Sequence, residues 1–151
     1  MFFIAIMAAG LLYVLLLKNY KKTLPSVAPP PKASEKLTLK TPGGDVVIND
    51  ITKNPVSTGD NRAILFARTE DYDMLFFPTD QGFIITLSQP DIQIARTHAE
   101  EDFLKILGIN KQQACRLTVS LAVPVSISEK ASGLDYGLSF CPGSKPLPKD
   151  N

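Results

Sequence analysis

The first seventeen residues, Met1 to Leu17, carry no charged side chain and a single hydroxyl, that of Tyr13. A helix with no polar face must be surrounded by apolar neighbours or by lipid. Coiled at about 1.5 Å per residue, this run is about 25 Å long, close to the hydrocarbon thickness of a bilayer. Lys18 and Tyr20 can snorkel outward and extend its reach. Residues 1–19 are therefore expected to form a single transmembrane helix.

A removable signal peptide has a basic leader, a shorter apolar core and a small-x-small cleavage site. Here nothing basic precedes the run, and its one small-x-small triplet, Ala8-Ala9-Gly10, has seven apolar residues still to follow. Ser26-Val27-Ala28 precedes Pro29, a poor residue to cut before, and no cysteine follows the run to accept a lipid. These features read as an uncleaved anchor.

The overall charge of +1 hides an asymmetry. Residues 18–40 hold six lysines against one glutamate, a net +5, whereas residues 41–151 hold ten basic against fourteen acidic side chains, a net −4. Lys18, Lys21 and Lys22 form a basic collar suited to anionic headgroups. The acidic remainder has no electrostatic footprint for nucleic acid, so the bilayer and a protein of unknown identity are the expected partners. The collar also puts the following domain in the cytoplasm by the positive-inside rule. A long proline-rich spacer and a cysteine pair point the other way, and the extracytoplasmic side is the one expected.

Pro25, Pro29, Pro30 and Pro31 make residues 20–36 a linker with a polyproline II bias, because proline fixes φ and donates no hydrogen bond. Residues 37–141 are expected to be one soluble α+β domain. Leu37–Lys40 and Asp45–Ile51 flank Thr41-Pro42-Gly43-Gly44 as a hairpin. After a loop to Asn61, the apolar runs Arg62–Arg68, Tyr72–Phe77 and Phe83–Ser88 are joined by connections short enough for antiparallel neighbours. Thr97-His98-Ala99-Glu100 has the form of a capping box, and Ala99, Phe103, Ile106 and Leu107 make one apolar stripe ending at Gly108. Asn110 is placed to cap a second short turn. Arg116–Val123 alternates as a strand, and Tyr136–Cys141 is expected to be a last one. The predicted fold is a mostly antiparallel sheet with one or two helices on one face, and residues 142–151 are expected to be a disordered tail.

Cys115 precedes one of these last strands and Cys141 ends the other. If the two pair antiparallel, the sulfurs approach and a disulfide closes a loop worth about 3.5 kcal/mol on the chain-entropy estimate. Two free thiols are the other possibility. Two cysteines and one distant histidine do not make a zinc set, and no metal or cofactor is expected. His98, Glu101 and Asp102 share a helix face, but the zincin pattern needs a second histidine where Asp102 stands. Glu70-Asp71-Tyr72-Asp73 lacks the order of a calcium loop and reads as a solvated turn. No G-x-S-x-G, P-loop or G-x-G-x-x-G occurs, and no base is apparent beside Ser126, Ser128, Ser132 or Ser139. An unrecognised hydrolase site is the third alternative among functions.

Residues Phe103 to Ala114 resemble the helix–turn of a helix-turn-helix DNA reader, with Leu107-Gly108-Ile109 as the turn. The resemblance implies a cytoplasmic-facing regulator that binds nucleic acid through residues 98–115, with Lys111 and Arg116 toward phosphate. It covers a dozen residues and departs from the pattern where Leu117–Val123 alternates as a strand. The expected function is instead a membrane-anchored, non-catalytic binding or structural domain at the cell envelope.

Overall fold

The computed structural model describes residues 35–58 and 62–149. The expected transmembrane helix, the basic collar and nearly all of the linker lie outside the described residues; among those described, no helix is long and apolar enough to cross a membrane. The chain forms β1 (Lys36–Leu39), β2 (Val46–Asn49), β3 (Ser57–Thr58), β4 (Ile64–Arg68), β5 (Tyr72–Phe77), β6 (Gly82–Leu87), α1 (Ile92–Leu107), α2 (Lys111–Ala114) and β7 (Thr118–Ala122). The class is α+β, with the strands divided between two sheets. β1 and β2 make the expected hairpin as a separate antiparallel pair, while the second sheet runs β3-β4-β5-β6-β7.

Three of the neighbour pairs in that sheet are antiparallel, and β6–β7 is parallel. A parallel neighbour cannot be reached through a tight turn, so the chain crosses over by way of α1 and α2. Alternation places Tyr72, Met74 and Phe76 of β5 and Phe83, Ile85 and Leu87 of β6 in the core. In β4 the register against β5 slips between Leu65 and Ala67, which leaves Phe66 as an extra residue. The bulge lets three consecutive side chains, Leu65, Phe66 and Ala67, be buried.

Helix α1 begins earlier than the sequence pattern at Thr97 suggests. Asp91 is the N-cap, its carboxylate accepting from the Ile94 N–H at 3.1 Å. Ile92 and Ala95 extend the apolar stripe of Ala99, Phe103 and Ile106 toward the N-terminus, and all five are buried. That extra burial overrides the local capping signal. Thr97 therefore lies in the helix interior and its hydroxyl donates to the Gln93 carbonyl. Glu100, Glu101 and Asp102 fall mid-helix, away from the N-terminal dipole. Phe103 meets Phe83 edge-on at 5.3 Å between centroids, joining helix to sheet. Gly108 closes α1 at φ 67°, and Asn110 caps α2 in a reciprocal pair with Gln113.

Two expectations for the C-terminal part are corrected. Tyr136–Cys141 is not a strand. Tyr136 N–H does donate to the Leu121 carbonyl at 2.9 Å, but Gly137, at φ 58°, then turns the chain away from β7. Asp135 supplies a carboxylate to the Leu121 N–H where a paired strand would have offered a carbonyl. Nor do residues 142–149 form a free tail: Leu147 is buried against the core, and the Gln93 amide donates to the Pro148 carbonyl at 3.3 Å. A proline-rich composition signals a backbone with few donors, and here α1 supplies donors to its carbonyls.

Candidate functional site

Residues 124–149 contain neither helix nor strand and form a strap over α1 and the outer edge of β7. Cys115 and Cys141 are joined in a disulfide with Cα atoms 5.3 Å apart. The expected covalent link is present, although the geometry that brings the sulfurs together is a strap crossing the start of β7, not an antiparallel strand pair. Cys115 sits at the C-cap of α2, so the bridge fastens the strap to the helical crossover.

Between strap and sheet edge lies a groove of about 330 Å³, whose walls include Leu117, Val119, Leu138, Ser144 and the disulfide. Asp135 also lines it and accepts from Leu121 N–H at 2.9 Å, Ser120 hydroxyl at 2.9 Å and Gly137 N–H at 3.0 Å. Burial pushes the Asp135 carboxyl up, but these donors and the charge of Lys145 outweigh it and hold the group below its ordinary value. The Cys115–Cys141 bridge is part of the same lining.

The strap's second fastening is polar. Arg96 Nε donates to Glu100 Oε1 at 2.8 Å, and its terminal nitrogens donate to the carbonyls of Tyr136, Gly137 and Lys145. Glu100 in turn accepts from Ser139 N–H at 2.6 Å and from the Ser139 hydroxyl. Both charged side chains are buried. Sequence reasoning missed this pair. Its only signal is the i, i+4 spacing, which an exposed helix pair shares.

Ser139 thus does have a carboxylate beside it, and a second cavity of about 560 Å³ borders Gln93, Arg96, Glu100 and Leu147. The Glu100 oxygens are already occupied by Arg96 and by the backbone and hydroxyl of Ser139. An arrangement in which every donor and acceptor holds the strap in place is a clamp.

Elsewhere, His98 Nδ1 lies 2.6 Å from Asp71 Oδ2 on the surface, and this contact raises the imidazole above its ordinary value. The Tyr72 hydroxyl donates to Asp102 at 2.5 Å; burial first, and then this carboxylate, push the phenol well above its usual range. Asp73 takes Arg68 in a two-pronged contact at 2.7 and 2.9 Å. His98, Glu101 and Asp102 therefore do not converge: His98 is turned to Asp71 and Asp102 to Tyr72.

The two basic residues of the DNA-reader resemblance are likewise occupied. The Lys111 ammonium sits 5.1 Å from the centre of the Phe140 ring, and Arg116 lies over Gly43–Gly44 and donates to the Asp45 carbonyl. Helix α2 has four residues, too few to lie along a major groove as a recognition helix. Lys18, Lys21 and Lys22 lie outside the described residues. Comparisons of the chain with protein-family models, with curated proteins and with solved structures return no match.

Proposed function

We propose that this chain is a single-pass membrane protein that displays a small non-catalytic binding domain on the extracytoplasmic side of the cell envelope. The anchor at residues 1–19, the basic collar and a spacer able to reach roughly 50 Å at about 3.1 Å per residue come from the sequence. The observation that carries the choice of side is the Cys115–Cys141 disulfide. Disulfides persist in oxidising compartments and are rare where glutathione keeps thiols reduced. This weighs against the positive-inside signal of the collar.

A binding role is supported by where the polar chemistry goes. Buried Arg96 and Glu100 and the exposed Ser139 are spent on holding the strap that forms one wall of the groove. The partner is expected to be a protein of the envelope.

Topology and redox state are read together by treating intact cells with a membrane-impermeant maleimide, with and without prior reduction under denaturing conditions. Labelling of Cys115 and Cys141 only after reduction is the expected result. Free thiols that label only on lysis would put the domain in the cytoplasm and overturn the proposal.

A further inference from the structure

Residues 140–144 of the strap are pinned at both ends and tied in between by the disulfide. On one side, the Ser139 N–H and hydroxyl both go to the buried Glu100. On the other, the Lys145 carbonyl accepts from Arg96 at 3.0 Å, and its N–H donates to the Tyr136 carbonyl. Both ends therefore rest on the buried clamp of α1, which no change at the sulfurs removes.

Between these points the hydrogen bonds stay within the strap. Cys141 N–H donates to the Leu138 carbonyl, Ser144 N–H to the Cys141 carbonyl, and the Ser144 hydroxyl to the Ser139 carbonyl. Pro142 has no N–H, and Gly143 sits at φ 83°, from which glycine moves to negative φ at little cost. The Phe140 carbonyl lies 3.9 Å from the Cys115 sulfur, which in the bridge has no proton to donate. Among the described residues, the covalent and polar ties from this segment to the crossover are the disulfide and the Lys111 ammonium over the half-buried Phe140 ring.

The segment also covers something. Cys141, Pro142, Gly143 and Ser144 line the groove of about 330 Å³ together with Ala114 and Leu117, two side chains that belong to the buried core. Both cysteines are half-buried and border this open groove, so a small thiol can reach the sulfurs. A segment with fixed ends, its own internal turn and one covalent tie is a flap with a latch.

We propose that the Cys115–Cys141 disulfide is a reducible latch, and that a dithiol reductant opens residues 140–144 away from the apolar wall of the groove. The clamp keeps the rest of the strap seated. The inference rests on the binding role proposed above and makes entry to the groove depend on redox state. In the exchange, a reductant thiolate attacks one sulfur, the S–S bond breaks, and the other cysteine leaves as a thiolate. The reductant's second thiol then attacks the mixed disulfide and releases the first cysteine. Two electrons pass to the pair, the cysteines gain the two protons the dithiol loses, and the reductant departs as a disulfide.

The test compares the oxidised and the dithiothreitol-reduced full chain in detergent micelles, without denaturant, by amide hydrogen exchange in isotopically labelled protein. Dithiothreitol should reduce the pair, and the Cys141 and Ser144 amides should then speed up roughly tenfold or more relative to those of Ser139 and Lys145. The amides of β5 and β6 should keep their rates, and reoxidation should restore the first pattern.

A pair that resists reduction until denaturant is added would overturn the latch. So would equal acceleration across residues 136–145, or none at Cys141 and Ser144, once the thiols are free. The maleimide experiment separates the two levels. Free cytoplasmic thiols in cells would remove the extracytoplasmic binding role, whereas the exchange rates decide the flap by themselves.

Discussion

The sheet with α1 and the C-terminal strap are held by opposite means. From β1 to β7 the backbone satisfies itself through ladders and helix turns, and side chains are free to bury apolar area: Phe66, Phe76, Phe83 and Phe103 lie in one cluster. The strap has no ladder. Its apolar anchors are Ala131, Tyr136, Leu138 and Leu147, and its carbonyls would be orphaned without donors from elsewhere. Buried peptide groups must be paired, so a segment without secondary structure draws side chains into the core to do it. Arg96 is the cost of that solution: a charge in a helix face that would otherwise be apolar.

The comparison breaks most visibly at the two Arg–carboxylate contacts. Arg96–Glu100 has side-chain exposures of 8% and 9%, whereas Arg68–Asp73 has 51% and 28%, although both bonds are 2.7–2.8 Å long. Arg96→Met should destabilise the domain by about 3–5 kcal/mol, because it leaves the buried Glu100 charge uncompensated and takes the Arg96 donor from the Gly137 and Lys145 carbonyls. Arg68→Met should cost about 1 kcal/mol or less, as exposed pairs do. Urea denaturation of the full chain in detergent, followed by tyrosine fluorescence, measures both. Equal losses would mean that the strap is held by its apolar anchors alone.

A second, smaller effect separates covalent from polar fastening. Replacing both cysteines, Cys115→Ser with Cys141→Ser, should remove about 3.5 kcal/mol on the chain-entropy estimate. Hydrogen exchange should show that loss first at residues 136–145, with the amides of β5 and β6 still protected. Uniform loss across sheet and strap would show that the two regions unfold as one unit.

The same division decides what could be read in advance. Alternation revealed β5 and β6, and the 3.6-residue stripe revealed most of α1, because burial on one face leaves a period in the chain. The start of α1 was mistaken because Thr97 and Glu100 mimic a capping box, while the true cap, Asp91, is followed by no Glu or Gln at the third helical position. The strap leaves no period. Its proline-rich stretch resembles disordered chain, and nothing local in Pro146-Leu147-Pro148 tells that Leu147 finds a pocket. The disulfide was legible as a pairing of cysteines but not as the link that pins an irregular segment. The candidate groove was not legible at all, since it depends on which way Val119 faces and on where Gly137 turns the strap aside.

The smallest expected effect lies at the surface of the patterned half. His98 is half-exposed and bound to Asp71 through Nδ1. Because the contact favours the imidazolium, the folded-state value is raised above the ordinary 6.5. The sign follows from linkage: the contribution to stability is fully present below about pH 6.5 and disappears as pH rises through the raised folded-state value. Asp71→Asn should lower the His98 titration toward its ordinary value, read from its ring-proton shifts, with Glu101 and Asp102 still acting on the ring, and should flatten this part of the stability profile. The strap fastenings contain no histidine, so the pH dependence of strap exchange between pH 6 and 8, once corrected for the intrinsic rate, should be the same in Asp71→Asn. A change in strap protection over that range would show that the α1 surface at His98 communicates with the clamp at Glu100, two residues further along the same helix.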